Sequence, residues 1–272
     1  MNTRSKATIT VASLALIATT ALPAFAAEAP VYVEAVAPGA SLQVLATSGD
    51  VVNGYQLAGI PDGTGAFKSG NSVKILMNHE IGYSATAATL SRAGGDAAGA
   101  TITEFTMNPT TQKLTNAREF LTSALFYNYA SKTYSSTPAA PTGAAEKDSY
   151  GTPQHTKFLN RFCSASLAPA GRFSYVDPKT KKAFGIKDAV FLTGEEGGDE
   201  SRGFAVNPAG QLVQIPGFGL ASWETFVAVP TATKTTALFG NEDGGATGSQ
   251  VWLYQGTKTA TGSWFERAGF TN

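Results

Sequence analysis

The residues best suited to chemistry are acids set beside glycines. Glu195-Glu196 is the densest acidic point, followed by Asp199-Glu200-Ser201-Arg202 and flanked by Gly194 and Gly197-Gly198. Glycine lets a backbone come close to an ion or a phosphate. Arg202 can pair with Glu200 or clasp an anion through two parallel hydrogen bonds; the plainer reading is a polar loop with a solvated ion pair. Glu242-Asp243-Gly244-Gly245 repeats the pattern. Asn78-His79-Glu80 sets an amide, an imidazole and a carboxylate side by side, a group able to bind metal or move protons, or simply to cap a turn. His155 reads as an ordinary loop residue, and Asp62 in Ile60-Pro61-Asp62-Gly63 as a plain turn. Cys163 is the single cysteine, so no intramolecular disulfide exists. Its thiol is a buried hydrophobe, a metal ligand or a link to another chain. The chain has no G-x-S-x-G elbow, P-loop, H-E-x-x-H or dinucleotide fingerprint.

The elements that must position these residues are strands. Runs of five to eight residues rich in β-branched and aromatic side chains alternate with Gly, Asn, Pro and Asp. The pattern predicts strands at Ser41 to Thr47, Ser72 to Met77, Ala100 to Met107, Lys113 to Thr122, Ala189 to Thr193, Gly203 to Val206, Leu212 to Ile215, Thr225 to Val229, Thr236 to Phe239 and Gln250 to Tyr254. Three segments share one layout: a short apolar strand ends in His79-Glu80, Glu195-Glu196 or Glu242-Asp243, and a Gly-bearing loop or a hairpin follows. Glu195 and Glu242 are 47 residues apart, near the ~40–50 residues of a propeller blade. The fold class is therefore all-β, a β-propeller in first place and a β-sandwich in second. In a propeller Glu80, Glu196 and Asp243 occupy equivalent strand ends around one channel mouth. Carboxylates gathered there repel and raise one another's pKa unless cations lie between them. Hard cations, Ca²⁺ above all, suit such a site. Phe126 to Gln154, rich in Ala, Ser, Thr, Tyr and Pro, reads as part of an insertion at about 126–165.

Composition narrows the function classes. With 20 basic and 20 acidic residues, the chain has no electrostatic footprint for nucleic acid. Arg4 and Lys6, an apolar stretch from Ala7 to Leu22 and the small-residue sequence Ala24-Phe25-Ala26 predict a signal peptide over 1–26. Cleavage leaves a propeller domain over 27–272 with 18 basic and 20 acidic residues, periplasmic or extracellular, monomeric and without a membrane anchor.

Pro61-Asp62-Gly63-Thr64-Gly65-Ala66-Phe67, the strand ending in Asn78-His79-Glu80, the Cys163 segment, Thr193-Gly194-Glu195-Glu196 and Gly240-Asn241-Glu242-Asp243, in that order, resemble the secreted PhoX-type alkaline phosphatases and their propeller relatives. The similarity runs from about Gly59 to the end of the chain. It implies a six-bladed propeller with Ca²⁺ and Fe³⁺ at its axis that hydrolyses phosphomonoesters of small molecules. It implies metal ligands at Glu80, Cys163, Glu195, Glu196, Glu242 and Asp243, with Glu196 and Arg202 in the reaction. The 246 residues after the leader are short for six blades of ~40–50 residues, so an incomplete propeller is expected. Two other classes stay open: a non-catalytic secreted Ca²⁺-binding propeller, and, by fold analogy, a Ca²⁺-dependent esterase or lactonase.

Overall fold

Short strands are stabilised by neighbours and by cover on their faces, and 13 of those among the described residues lie in three consecutive sheets, antiparallel apart from one pair. The computed structural model describes residues 31–271; the leader read over 1–26 lies outside them. Two units are distinguished, residues 1–42 and 43–272. In the first, residues 31–42 run irregularly through one turn closed by Ala40 N–H to the Ala37 carbonyl (3.0 Å).

In the second unit, sheet one is a four-stranded meander: β1 (Pro61–Ser69), β2 (Ser72–His79), β3 (Thr101–Asn108) and β4 (Lys113–Glu119). Sheet two contains β5 (Ser123–Asn128), β6 (Thr133–Ser135), β7 (Phe162–Ala168), β8 (Val190–Glu195), β9 (Gly203–Val206) and β10 (Gln211–Gln214), in the order β6-β5-β10-β9-β8-β7. All its pairs are antiparallel except β10 with β5. Sheet three has β11 (Trp223–Val229), β12 (Thr235–Glu242) and β13 (Val251–Thr257). The described residues form an all-β arrangement of several sheets without a closed barrel. No helix among the described residues is long and apolar enough to cross a membrane.

The sheets pack through alternate residues of their strands, as period-two side chains require. Leu76 and Ile102 of sheet one meet Phe191 and Phe204 of sheet two in one apolar cluster. Leu192 and Val213, from the other face of sheet two, meet Phe226 and Leu238 of sheet three in a second. Each such side chain, fully buried, contributes about 1.5–3 kcal/mol. A smaller cluster, Leu57, Phe105 and Ala117 with Ile75 and Met77, covers the outward face of sheet one. Close approach of β1 to β7 depends on glycine: a Cβ on Gly63 would lie 2.0 Å from the Ala165 amide nitrogen.

Eight of the ten strands expected from the sequence form with shifted ends, and Gly203–Val206 forms as expected. Leu212 to Ile215 is displaced to Gln211–Gln214. Ser41 to Thr47 forms no strand; Ala46 instead packs against the Leu57 cluster. The stretch read as an insertion carries structure at both ends. Phe126 is fully buried in β5, and Phe158–Leu159 and β7 follow at its far end. The strand β1 was unforeseen because Gly63 and Gly65 look like turn residues, yet here they serve sheet packing.

Candidate metal centre

The same local design occurs once in each sheet. Pro61 pairs with His79, Phe162 with Glu195, and Trp223 with Glu242. Directly after each pair the register slips, leaving Asp62, Cys163 and Glu224 in bulges. Opposite them, the backbone N–H of Glu80 donates to the Ile60 carbonyl (2.9 Å), that of Glu196 to Arg161 (3.0 Å) and that of Asp243 to Ser222 (2.7 Å). Ile60 and Arg161 sit at φ +51°, an uncommon backbone region for residues with side chains. A bulge re-aims the side chain it carries, and each sheet thus offers two donors at one end: Asp62 and Glu80, Cys163 and Glu196, Glu224 and Asp243.

These donors meet. The Cys163 thiol donates to Glu224 Oε2 (3.0 Å), and the Asp62 and Glu196 carboxyls lie close enough to interact with it. Glu196 shares a further hydrogen bond with Asp243. Arg161 donates through Nε to Glu80 Oε1 (2.8 Å) and through Nη2 to Glu196 Oε2 (3.1 Å). Five carboxyl groups and a thiol therefore adjoin one another, and one guanidinium, that of Arg161, pairs with two of them. The thiol sulfur and one oxygen each of Glu196 and Glu224 lie within 4.8 Å of one another.

The electrostatics follow from that crowding. Burial, then the Asp243 hydrogen bond, pushes the Glu196 carboxyl up to about 7. Burial raises Asp62 as well, helped by the charge of Glu80. Burial and the hydrogen bond to Glu224 push the Cys163 thiol far up, with Glu196 and Asp62 adding to it. Such crowding favours the protonated carboxyls, and a cation binding there would displace the protons.

The donor set fits metal. Carboxylates suit Ca²⁺, whereas a thiolate suits iron or zinc and not calcium. Asn78, fully buried, donates Nδ2 to the Cys163 carbonyl and to Thr193 Oγ1, while its Oδ1 has no hydrogen-bond partner.

Three residues expected at the site are engaged elsewhere. Glu195, 3% exposed, accepts from Arg202 Nε (2.7 Å), Arg202 Nη2 (2.7 Å), the Arg202 amide (3.1 Å) and the Asn160 amide (3.0 Å). Arg202 donates further through Nη1 and Nη2 to the Thr156 and Phe158 carbonyls and lies against Phe126 and Phe204. Neither the acid nor the guanidinium is left for metal or phosphate. Glu242 accepts from the Gln250 amide (3.3 Å) and holds its own turn. His79 bonds Thr103 Oγ1 (2.7 Å) and the Gly59 carbonyl (3.0 Å), fixing the turn before Asp62; burial lowers its pKa. His155 is paired with Glu200 (3.0 Å).

Sequence reading missed Asp62, Arg161 and Glu224 as site residues. A signal existed for two of them: Asp62 precedes Glu80 by 18 residues and Glu224 precedes Asp243 by 19. Comparison of the chain with protein-family models, curated proteins and solved structures finds no match.

Proposed function

We propose that the chain is an exported, metal-dependent phosphomonoesterase of the PhoX-like kind, its three sheets acting as blades of a reduced propeller. The observation that carries this reading is that Asp62, Glu80, Cys163, Glu196, Glu224 and Asp243, two from each sheet, adjoin one another, with Cys163, Glu196 and Glu224 close enough to share one ion. The sulfur-bearing group Cys163, Glu196 and Glu224 suits iron, and the carboxylates Asp62, Glu80 and Asp243 suit Ca²⁺. Bound cations would neutralise phosphoryl oxygens and favour in-line displacement.

The chain's own side chains do the rest. Arg161 takes the anion-binding role assigned in sequence to Arg202: its side chain is 36% exposed and its guanidinium already faces the acids. Released from Glu80 and Glu196, its two-pronged edge would be able to orient a phosphate monoester. Glu196 and Cys163 would have to lose their protons to hold a cation. Asn78 holds the Cys163 carbonyl and so fixes the strand end that carries the thiol.

Metal analysis of the purified protein, with aryl phosphate hydrolysis assayed with and without Ca²⁺, tests this. Iron and calcium together with calcium-dependent turnover are expected, with turnover lost in Glu196→Gln. Calcium binding without turnover would replace the enzyme with a calcium-binding protein. A chain that takes up neither ion would overturn the site assignment.

A further inference from the structure

The outward face of sheet one is covered by residues 45–58, and this cover stands off the strands beneath it. Within it Val51–Val52 pairs with Tyr55–Gln56 in a short hairpin. The Leu57 amide closes the base on the Asp50 carbonyl (2.8 Å), and the Gly49 amide on the Leu57 carbonyl (3.1 Å). Polar clips fix the height of the hairpin above the sheet. Asn53 Nδ2 donates to Asn116 Oδ1 (2.7 Å), and the Tyr55 hydroxyl is hydrogen-bonded to Thr103 Oγ1 (3.2 Å). The Gly59 carbonyl, just past the cover, is bonded to His79 Nδ1 (3.0 Å). Between cover and sheet lies a cavity of about 300 Å³. Leu57 and Ala58 line it from the cover, and Ile75, Met77, Phe105 and Leu114 from the sheet. Among the described residues no charged side chain lines it. The Thr64 hydroxyl, the polar side chain on the sheet side, donates to the Asp62 carbonyl (3.0 Å). Such walls offer water few of the two to four polar partners it takes when buried. Leu45, 43% exposed, and the exposed Ser48 mark the open side.

We propose that this cavity binds the alkyl chain of a small amphiphile, roughly eight to ten carbons long, with its polar end at the Leu45–Ser48 opening. Size sets the length: protein interiors leave few spaces larger than a water molecule, and an apolar cavity of about 150 Å³ already takes up benzene. Wall chemistry sets the class. Phe105 is the only aromatic ring in the lining, so a flat arene finds no second aromatic face to pack on. With no charged side chain in the lining, neither a carboxylate nor an ammonium end is favoured, and a hydroxyl end suits Ser48. The polar clips hold the site open in advance, so little ordering is needed on binding. This inference does not rest on the metal reading.

Calorimetric titration of the full chain with straight-chain alcohols tests it. Octanol is expected to bind at a single site with a Kd on the order of 0.1 mM. Affinity should rise about fourfold per methylene from hexanol to octanol and level off beyond decanol, once the cavity is full. The Met77 methyl resonance should shift along the same saturation curve. Ala46 packs against the Leu57 cluster beside the cavity, so Ala46→Phe puts a ring into the space and should weaken octanol binding at least tenfold while keeping the wild-type circular dichroism spectrum. No saturable uptake of octanol, an affinity that climbs without levelling off, or a Met77 resonance that does not move would each overturn the proposal. Binding of naphthalene but not of the alcohols would also overturn it, in favour of an arene site. A folded Ala46→Phe chain that binds octanol as tightly as the wild type would place the alcohols elsewhere and overturn it too.

Discussion

Glu195 and Glu196 are neighbours in the chain with opposite circumstances. The strand end turns Glu195 inward, where Arg202 and two backbone amides saturate its oxygens. It turns Glu196 toward other acids, where one shared guanidinium must serve both it and Glu80. The first region is a closed, buried ion pair in which both carboxylate oxygens and all three guanidinium nitrogens are hydrogen-bonded. The second is an open cluster whose charges are incompletely compensated. A buried pair with full hydrogen bonding holds structure together, whereas crowded acids without counter-charge are tolerated at the expense of stability where a ligand is to bind.

The comparison breaks first, and most strongly, on the closed side. Arg202→Ala leaves the Glu195 carboxylate buried and unpaired and is expected to cost about 3–5 kcal/mol in urea denaturation. A loss below ~1 kcal/mol would mean that the pair is not the anchor described. On the open side, Cys163→Ser should keep the fold but reduce iron uptake at least tenfold, with calcium affinity changed less. Equal loss of both ions, measured by direct metal titration, would argue against separate roles for sulfur and oxygen donors.

Acidity sharpens the contrast further. Glu196 has its folded value near 7, above the ordinary 4.5. The folded metal-free chain therefore binds this proton more tightly than the unfolded chain. The resulting stabilisation is complete below about 4.5 and is lost as pH rises through 7. From this residue, the metal-free melting temperature falls between pH 5 and pH 8. Glu196→Gln should flatten that fall and melt higher than the wild type at pH 8, by roughly 2–4 °C for each kcal/mol recovered. A variant with the same pH slope as the wild type would exclude the effect. The smallest expected change is in Arg161→Gln: stability shifts by no more than about 1 kcal/mol, as for other partly exposed pairs. Calcium affinity rises several-fold because a competing cation is gone, yet aryl phosphate turnover falls. A calorimetric titration that shows weaker calcium binding would assign Arg161 a purely structural part.

Much of the fold was legible because its signal is local. Alternation of apolar and polar residues between Gly, Asn and Pro marked most strands of the three sheets, and the acidic pairs at strand ends stood out against a chain with few charges. What stayed hidden depends on pairing. Asp62 looked like a turn because Pro and Gly surround it, and only its register against His79 places it in a bulge. Glu224 is an isolated acid between Trp223 and Thr225, and only the slip after Trp223 aims it at Cys163. The division of labour between Glu195 and Glu196 was equally invisible, since adjacent residues on a strand face opposite sides and composition does not say which side is closed. Arg161 and Arg202 exchanged roles for the same reason.

The six donors at the candidate centre are drawn from strand ends scattered over about 180 residues of chain, from Asp62 to Asp243. No hairpin or single sheet can assemble this site by itself. Loop closure must be completed across all three sheets before the last carboxylate arrives, so the site should be among the last features to appear during folding and the first to vanish during unfolding. An ion held there would act as a clasp on the finished molecule: it cannot template an early intermediate, but it can slow the opening step. Metal occupancy should then lengthen the unfolding half-life while leaving the refolding rate nearly unchanged.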